Sequence, residues 1–257
     1  MRILALPAAA LLAAFLYPVL PGTAARIHPA LDRLYAHVLR AFTRKSGKTD
    51  EDPALWTFIL LLSGVAALLA AVHPLAEALL IAPLMTGFSV FPGCASVKKD
   101  LDSGKYARDI PAYEACVRKA CASITPAFVS GICAPMIFCA AGMPLHLGAA
   151  LGWALLALRS RQAVHPLAQR ICARADRFCD AVFCAFLILC SGVCGRSPFR
   201  TRGRGAQERM MNILGIAGNG SDTHAPMAGD ISQAAFLCCF AFALLLITLT
   251  LIGFVLC

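Results

Sequence analysis

The chain ends in an uncharged apolar stretch, residues 234–257, with the sequence AAFLCCFAFALLLITLTLIGFVLC. A helix of this length rises about 36 Å at 1.5 Å per residue, which exceeds the roughly 30 Å hydrocarbon core of a bilayer. Residues such as Leu, Ile and Phe favour insertion, and no Lys, Arg, Asp or Glu opposes it. This stretch therefore predicts a transmembrane helix and places the chain among membrane proteins.

Further apolar runs precede this stretch, so that the sequence predicts six or seven apolar helices. Of the 257 residues, 59% are hydrophobic and only 14% are charged, which excludes a soluble enzyme, a disordered chain and a nucleic-acid-binding module. Proline and glycine divide two long runs, at His73-Pro74 and at 142–144. We expect an all-α fold, a single helical membrane domain over 1–257, with apolar helices at about 3–20, 56–72, 75–91, 125–142, 145–158, 178–194 and 234–257.

The first apolar run, 3–20, has two interpretations. It is long enough to span a membrane, but Thr23-Ala24-Ala25 resembles a small-residue cleavage site, so that a signal peptide is the alternative. The retained helix is the preferred interpretation, because the run is longer than the usual apolar core of a signal peptide. Residues 26–53 then have apolar side chains at helical intervals, which predicts an amphipathic helix on the membrane surface.

The basic residues predict the orientation of the chain. Lys and Arg number 23 against 14 Asp and Glu, which gives a formal charge of +9. The segments 21–55, 92–123 and 159–177 carry most of this surplus, and positively charged loops remain on the cytoplasmic side. We therefore expect a multi-pass protein of the plasma (inner) membrane with its major basic loops in the cytoplasm. Residues 195–233, with five arginines and several glycines, are expected to form a flexible loop whose side the sequence leaves open.

Cysteines and ionisable residues within the apolar runs give no strong site. None of the 13 cysteines forms a C-x-x-C pair, so we expect reduced thiols and no zinc site. Glu77, His73 and His146 lie near proline breaks, which favours positions at helix ends and the membrane interface, and Asp180 lies close enough to the start of its run to reach water. Gly148-x-x-x-Gly152 is typical of close helix packing.

Several short segments follow the order found in one enzyme family. They are His28-Pro29 before the amphipathic helix, Leu101-x-x-Gly104 with Ala107-Arg108, the stretch GICAPMIF at 131–138, the break at 142–144, and Ala173-Arg174-Ala175-Asp176. Together they resemble the adenosylcobinamide-phosphate synthase (CobD/CbiB) family of cobalamin biosynthesis, over about residues 10–195. The family forms an amide bond between a corrinoid carboxylate and an amino alcohol or its phosphate, which implies a nucleotide and Mg²⁺ as cofactors.

The resemblance implies candidate residues. His28, Asp176 and Asp180 would be catalytic, with the aspartates holding metal, and Arg108 and Arg174 would bind anionic substrate groups. The sequence also departs from the family, because Pro126, Ala127 and Ser130 stand where the family has the E-N-x-x-D of its central motif, and Arg177 replaces an aspartate. The resemblance thus predicts a divergent member and leaves its activity open, since this chemistry requires metal-binding carboxylates.

Two further functions remain open from the sequence. A non-catalytic membrane scaffold, sensor or subunit would use the basic segments to bind lipid or a cytoplasmic partner. A small-molecule transporter would use the two proline-divided runs as broken helices around a site in the middle of the membrane. The expected partners are membrane lipid, a corrinoid substrate if the resemblance holds, and a second copy of the chain as an open alternative, but not nucleic acid.

Overall fold

The computed structural model describes residues 4–19, 23–46, 51–104, 106, 109–193, 203, 205–217 and 224–256. Within these ranges every regular element is helical and no strand is present, which confirms the all-α prediction. The α-helices, in chain order, are α1 (Ala5–Val19), α2 (Thr23–Ser46), α3 (Glu51–Val72), α4 (Pro74–Ile81), α5 (Val90–Asp102), α6 (Ile110–Phe128), α7 (Ala134–Gly142), α8 (Gly148–Arg161), α9 (Pro166–Val193), α10 (Ala206–Leu214) and α11 (Ala228–Leu256).

Both breaks that the prolines predict are present. His73 separates α3 from α4, and its Nδ1 accepts a hydrogen bond from the Leu75 N–H at 3.1 Å, which caps α4. A 3₁₀ turn, Met143–Leu145, separates α7 from α8. It ends at His146, which has a left-handed backbone with φ of 58°. The two histidines lie at helix ends, as the sequence predicts.

The chain divides into two compact units. Unit 1 consists of Met1–Thr86, Ala134–Ala175 and Leu249–Cys257. In unit 1, α8 packs against α3 and α7, α1 packs against α4, and α2 packs against α3. A Cβ on Gly152 would lie 2.5 Å from Leu84 Cδ1 and 2.6 Å from Cys139 Sγ, so that the small residues of the glycine motif permit this close approach.

Unit 2 consists of Gly87–Cys133 and Asp176–Thr248. Its core is aromatic, with Phe128 of α6 at the centre and every partner ring centroid between 5.5 and 6.4 Å away. The surrounding rings are Phe88, Phe91, Phe183 and Phe242. A π-helical turn, Val129–Cys133, follows α6 directly. Close packing continues at Gly87, where a Cβ would lie 2.3 Å from the Ala127 carbonyl oxygen.

Three helical runs among the described residues are long and apolar enough to cross a membrane, namely Glu51–Val72, Ile110–Leu145 and Ala228–Val255. A fourth is present if the broken pair Pro74–Leu84 and Thr86–Asp102 counts as one span. The expected six or seven spans are not confirmed. The physical reason is length and charge, because α1 has 15 residues, α8 has 14, and α9 begins with a charged half.

The polar segments contain more helix than the sequence suggests. Residues 92–123, expected as a loop, lie largely in α5 and α6. The segment 195–233, expected to be a flexible loop, contains α10 and the first residues of α11. α10 forms because it is amphipathic and packs its apolar side, with Met210, Ile213 and Leu214 buried, against α6.

Candidate functional site

The residues that the family resemblance implies lie in different parts of the chain. His28 is exposed on α2 and Arg174 is exposed on α9, both in unit 1. Asp176 and Asp180 lie on the part of α9 that belongs to unit 2, where both are partly buried. Arg108 lies outside the described residues. Their assignment to one catalytic or substrate-binding site stays a prediction.

Asp180 has a structural partner. The Ala206 N–H donates to both carboxylate oxygens of Asp180, at 3.1 and 3.3 Å, so that this side chain caps the first turn of α10. A Cβ on Gly205, the residue before α10, would lie 3.1 Å from Asp180 Oδ2. A carboxylate beside a helix N-terminus is stabilised by the exposed N–H groups of the first turn. The position of Asp180 is therefore explained by the folding of α10.

The described residues do not fit the magnesium ion that the resemblance implies. No group of three or more His, Cys, Asp or Glu side chains within them is arranged to hold a metal ion. Magnesium requires nearly octahedral oxygen ligands and is usually bound through carboxylates. Asp176 and Asp180, of which Asp180 already caps a helix, do not supply such a set, and we derive no catalytic step through a metal.

A cluster of charged and aromatic side chains joins three helices of unit 1. The Arg161 guanidinium, on α8, forms an ion pair with Asp32 of α2 and lies 4.6 Å from the centre of the Tyr35 ring. The Tyr35 ring in turn meets Phe58 of α3 edge to face at 5.4 Å. A guanidinium above an aromatic ring is a favourable cation–π contact. We call Asp32, Tyr35, Phe58 and Arg161 the α2 clamp.

Burial sets the ionisation of this clamp. Desolvation raises the pKa of Tyr35 above its ordinary value, and the nearby carboxylates of Glu51 and Asp52 raise it further. Burial lowers the pKa of Arg161, whose ordinary value is so high that the guanidinium remains charged at physiological pH. Tyr35 is therefore a neutral phenol and Arg161 a cation, the states that the cation–π contact requires.

A buried histidine lies where α8 is followed by α9. His165 is 4% exposed, and its Nε2 lies 2.8 Å from Asp52 Oδ1 at the start of α3. Its other ring nitrogen, Nδ1, has no hydrogen-bond partner among the described residues. The contact connects the beginning of α3 to the turn after α8, and sequence reasoning did not single out either residue.

A second polar group surrounds the start of α11 in unit 2. Asp230 is 3% exposed, accepts a hydrogen bond from the Met227 N–H at 2.8 Å, and lies 3.1 Å from His224 Nε2. The Tyr113 hydroxyl accepts from the Ala228 N–H at 2.9 Å. These contacts satisfy N–H groups at and before the first turn of α11. The group therefore anchors the start of the last apolar helix.

An open groove lies between α6 and α10 in unit 2. It has a volume of about 640 Å³ and is lined by Arg118, Lys119, Glu208 and the apolar Met211, among others. Arg118 already pairs with Glu114 of its own helix at 3.7 Å. Acidic and basic groups are mixed in this groove, which therefore does not favour a ligand of one charge.

Glu77 lies in the first turn of α4, beside the proline break that favours an interfacial position. Its side chain is 1% exposed within unit 1. Its Oε1 would lie 2.9 Å from a Cβ on Gly148, the first residue of α8. α4 is packed between α1 and α3 and also contacts α8, so its first turn is covered by protein. A buried carboxyl group in an apolar helical unit is a functional candidate.

The end of α4 is a broken helix whose carbonyl groups are hydrogen-bonded by side chains. A 3₁₀ turn, Ala82–Leu84, follows α4 because Pro83 interrupts the α-helical hydrogen bonds. The Trp153 Nε1–H donates to the Leu80 carbonyl at 3.0 Å, and the Tyr17 hydroxyl donates to the Pro83 carbonyl at 2.7 Å. Helix breaks in apolar surroundings require such partners.

Comparisons with known proteins give no relative. No protein-family model, no curated protein and no solved structure matches the chain. The relation to the cobalamin-biosynthesis family therefore remains a prediction from the motifs. What the chain does must be inferred from its own geometry.

Proposed function

We propose that this chain is a non-catalytic membrane protein, a scaffold or subunit whose helix α2 binds the anionic headgroups of the bilayer. The observation that carries the proposal is a row of exposed basic side chains, four of them arginines, along one side of α2. We call this row the basic face. Its members are Arg26, Arg33, His37, Arg40 and Arg44.

Helical geometry brings these residues together. At about 100° per residue their positions fall within an arc of about 60°, so that they form a line along α2. The opposite side of the helix carries Leu31 and Tyr35, which are buried. Asp32, the single acidic residue of α2, lies off the basic face and is paired with Arg161.

The location of α2 favours lipid as the partner. α2 packs against α3, one of the runs that is long and apolar enough to cross a membrane. The apolar part of α3 begins at Ala54, close to the end of α2, where a spanning helix would meet the headgroups. Each Lys or Arg near an anionic leaflet contributes about 1 kcal/mol, so that the four arginines of the basic face contribute about 4 kcal/mol.

The α2 clamp strengthens this argument, because it fixes which side of α2 faces outward. Arg161 and Phe58 hold Tyr35 on the inner side, and Asp32, which is exposed, pairs with Arg161. A helix fixed in this way presents its cationic side without a further ordering cost. Preorganisation of this kind favours binding.

The experiment compares the full chain in phosphatidylcholine nanodiscs with and without phosphatidylglycerol. The test variant replaces three arginines of the basic face by glutamine, as Arg33→Gln, Arg40→Gln and Arg44→Gln. A matched control removes the same charge from the outer side of α9, as Arg170→Gln, Arg174→Gln and Arg177→Gln. The measured quantity is the increase in apparent unfolding temperature that the anionic lipid causes.

We expect the anionic lipid to stabilise the unmodified chain, with a smaller effect at high salt because ions screen exposed charges. The α2 variant should lose most of this increase, and the α9 variant should keep it. An equal loss in both variants would contradict the proposal, since it would assign the effect to net charge. No increase in the unmodified chain would contradict it as well.

The second candidate function is the amide-forming step of cobalamin biosynthesis, which rests on the sequence resemblance. The observation that favours it is the π-helical turn Val129–Cys133, which overlaps the start of the stretch 131–138 that resembles a family motif. Such turns recur at functional sites. Titration of the detergent-purified chain with adenosylcobyric acid, followed through the fluorescence of Trp56 and Trp153, tests it. Saturable quenching that His28→Ala or Asp176→Ala weakens would support the enzyme, and no quenching would refute it.

A further inference from the structure

The basic face contains a histidine among its arginines. His37 lies near the middle of α2, with Arg33 about one turn before it and Arg40 about one turn after it. At about 100° per residue, all four arginines of the basic face lie within about 60° of His37 around the helix axis. A headgroup that meets these arginines therefore meets the imidazole ring as well.

The His37 ring is accessible to a ligand from outside. Its side chain is exposed, and it forms no hydrogen bond or ion pair with any described residue. The other histidine of α2, His28, is exposed too, but its position is about 180° from His37 around the axis. His37 thus belongs to the basic face, and His28 does not.

The carboxylates of the neighbouring helix α3 do not face His37. α3 packs against α2 and has two acidic residues, Glu51 and Asp52, in its first turn. Both interact electrostatically with Tyr35, whose position is about 160° from His37 around the axis of α2. Asp52 also contacts His165. The negative charges of α3 are therefore on the side of α2 that carries Tyr35.

The charges of α8 and of α2 itself lead to the same conclusion. α8 contacts α2, and its charged residues are the cations Arg159 and Arg161 in its last turn. α2 has a single acidic residue, Asp32, which lies about 140° from His37 and pairs with Arg161. No carboxylate of α2, α3 or α8 forms an ion pair with His37. An anion for this ring has to come from outside these three helices.

The chemistry of the imidazole ring connects the basic face to pH. Histidine is the side chain that changes its charge between about pH 5 and 8 without special surroundings. Over the same range arginine keeps its positive charge, and the phosphodiester of a phosphatidylglycerol headgroup keeps its negative charge. We propose that His37 makes lipid binding by the basic face depend on pH, because the protonated ring adds a fifth cation for anionic headgroups in acid. Release of the proton to water leaves the four arginines as a weaker site.

This inference rests on the lipid binding proposed above and adds its regulation. The contribution of one cation near an anionic leaflet corresponds to a change of about fivefold in affinity. By linkage, anionic lipid favours the protonated ring by the same factor. Acidification should therefore strengthen the attachment of α2 to an anionic leaflet, without any change in the packing of α2 against α3 and α8.

The experiment measures the fraction of phosphatidylglycerol in phosphatidylcholine nanodiscs that gives half of the full increase in the unfolding temperature of the full chain. The measurement is made at low salt, at about pH 5.5 and about pH 8, with discs of phosphatidylcholine alone as the reference at each pH. The test variants are His37→Gln, which removes the titratable ring, and His37→Arg, which fixes a positive charge. The matched control is His28→Gln, because His28 lies on the other side of the same helix.

We expect the unmodified chain and His28→Gln to need about fivefold less phosphatidylglycerol at the acidic pH. His37→Gln should need the larger fraction at both pH values, and His37→Arg the smaller fraction at both. A pH dependence that persists in His37→Gln, that is lost in His28→Gln, or that is absent from the unmodified chain would overturn this inference and leave lipid binding by the basic face intact. Absence of any stabilisation by phosphatidylglycerol at either pH would refute the lipid binding itself, and the inference with it.

Discussion

Replacement of Gly152 by alanine tests the close packing of α8 in unit 1. The new methyl group would lie 2.5 Å from Leu84 Cδ1 and 2.6 Å from Cys139 Sγ. Both neighbours are side-chain atoms, but Leu84 is 2% and Cys139 0% exposed, so that neither has free space to move into. Gly64 of α3 is a matched control, because a Cβ there meets no atom within 4 Å.

The magnitude follows from the comparison of the two variants. Each gains about 0.5–1 kcal/mol because alanine is a better helix former than glycine. This term cancels in the difference, which leaves the overpacking cost of about 1–3 kcal/mol for an extra methyl group in a well-packed core. At about 2–4 °C per kcal/mol for a chain of this size, Gly152→Ala should unfold roughly 2–12 °C below Gly64→Ala.

The assay is thermal unfolding of the full chain in one detergent, with the two variants prepared in parallel. The unmodified chain should lie between them or near Gly64→Ala. Equal unfolding temperatures for Gly152→Ala and Gly64→Ala would refute the reasoning, because they would mean that α8 does not approach Leu84 and Cys139 as described. A lower temperature for Gly64→Ala would refute it too.

Three further outcomes are expected. Asp180→Ala should lower the hydrogen-exchange protection of α10 by about 1 kcal/mol, because it removes the cap. Asp180→Asn should retain most of the protection, because asparagine also caps helices. An equal loss of protection in both variants would contradict the capping role. Gly87→Ala should unfold at a lower temperature than Gly152→Ala, because its Cβ would meet a backbone oxygen, that of Ala127, at 2.3 Å. Burial and, to a smaller extent, the Asp180 carboxylate raise the pKa of Cys184 to about 11, against the opposing Arg209 cation. The extent of Cys184 alkylation, measured by peptide mapping, should therefore keep increasing up to about pH 11. A plateau near the ordinary thiol value of about 8.5 would contradict that environment.

Patterns of proline, glycine and apolar residues predicted those structural features that depend on residues close together in the sequence. The breaks at His73 and at Met143–Leu145 follow from proline and glycine, whose backbone preferences do not depend on the fold. The amphipathic helix α2 follows from the spacing of its apolar residues. Gly148 and Gly152 are four residues apart, one turn of a helix, so that their close packing also has a local signal.

Features that depend on distant residues could not be predicted in the same way. Glu77 was expected at the interface because its sequence neighbours indicate a helix end, but its burial depends on the position of α8. Asp180 was expected in a catalytic site because of the family resemblance, and that role stays a prediction. Its contact with the Ala206 N–H has no local signal, because Ala206 lies in another helix. The expected six or seven spans are not confirmed, because apolar composition alone does not distinguish a short packed helix from a spanning one.

The α2 clamp has a consequence for the order in which the helices of unit 1 assemble during synthesis. Asp32 and Tyr35 emerge early in synthesis, and Phe58 follows on the next helix, so that α2 and α3 can pair while the chain is still growing. The Arg161 guanidinium is added only after α3 to α7 have been completed. Until then the Asp32 carboxylate lacks the Arg161 cation, because domains form from the N-terminus during translation. Attachment of α2 to α8 is therefore a late step, and a chain truncated before Arg161 would retain α2 on α3 alone.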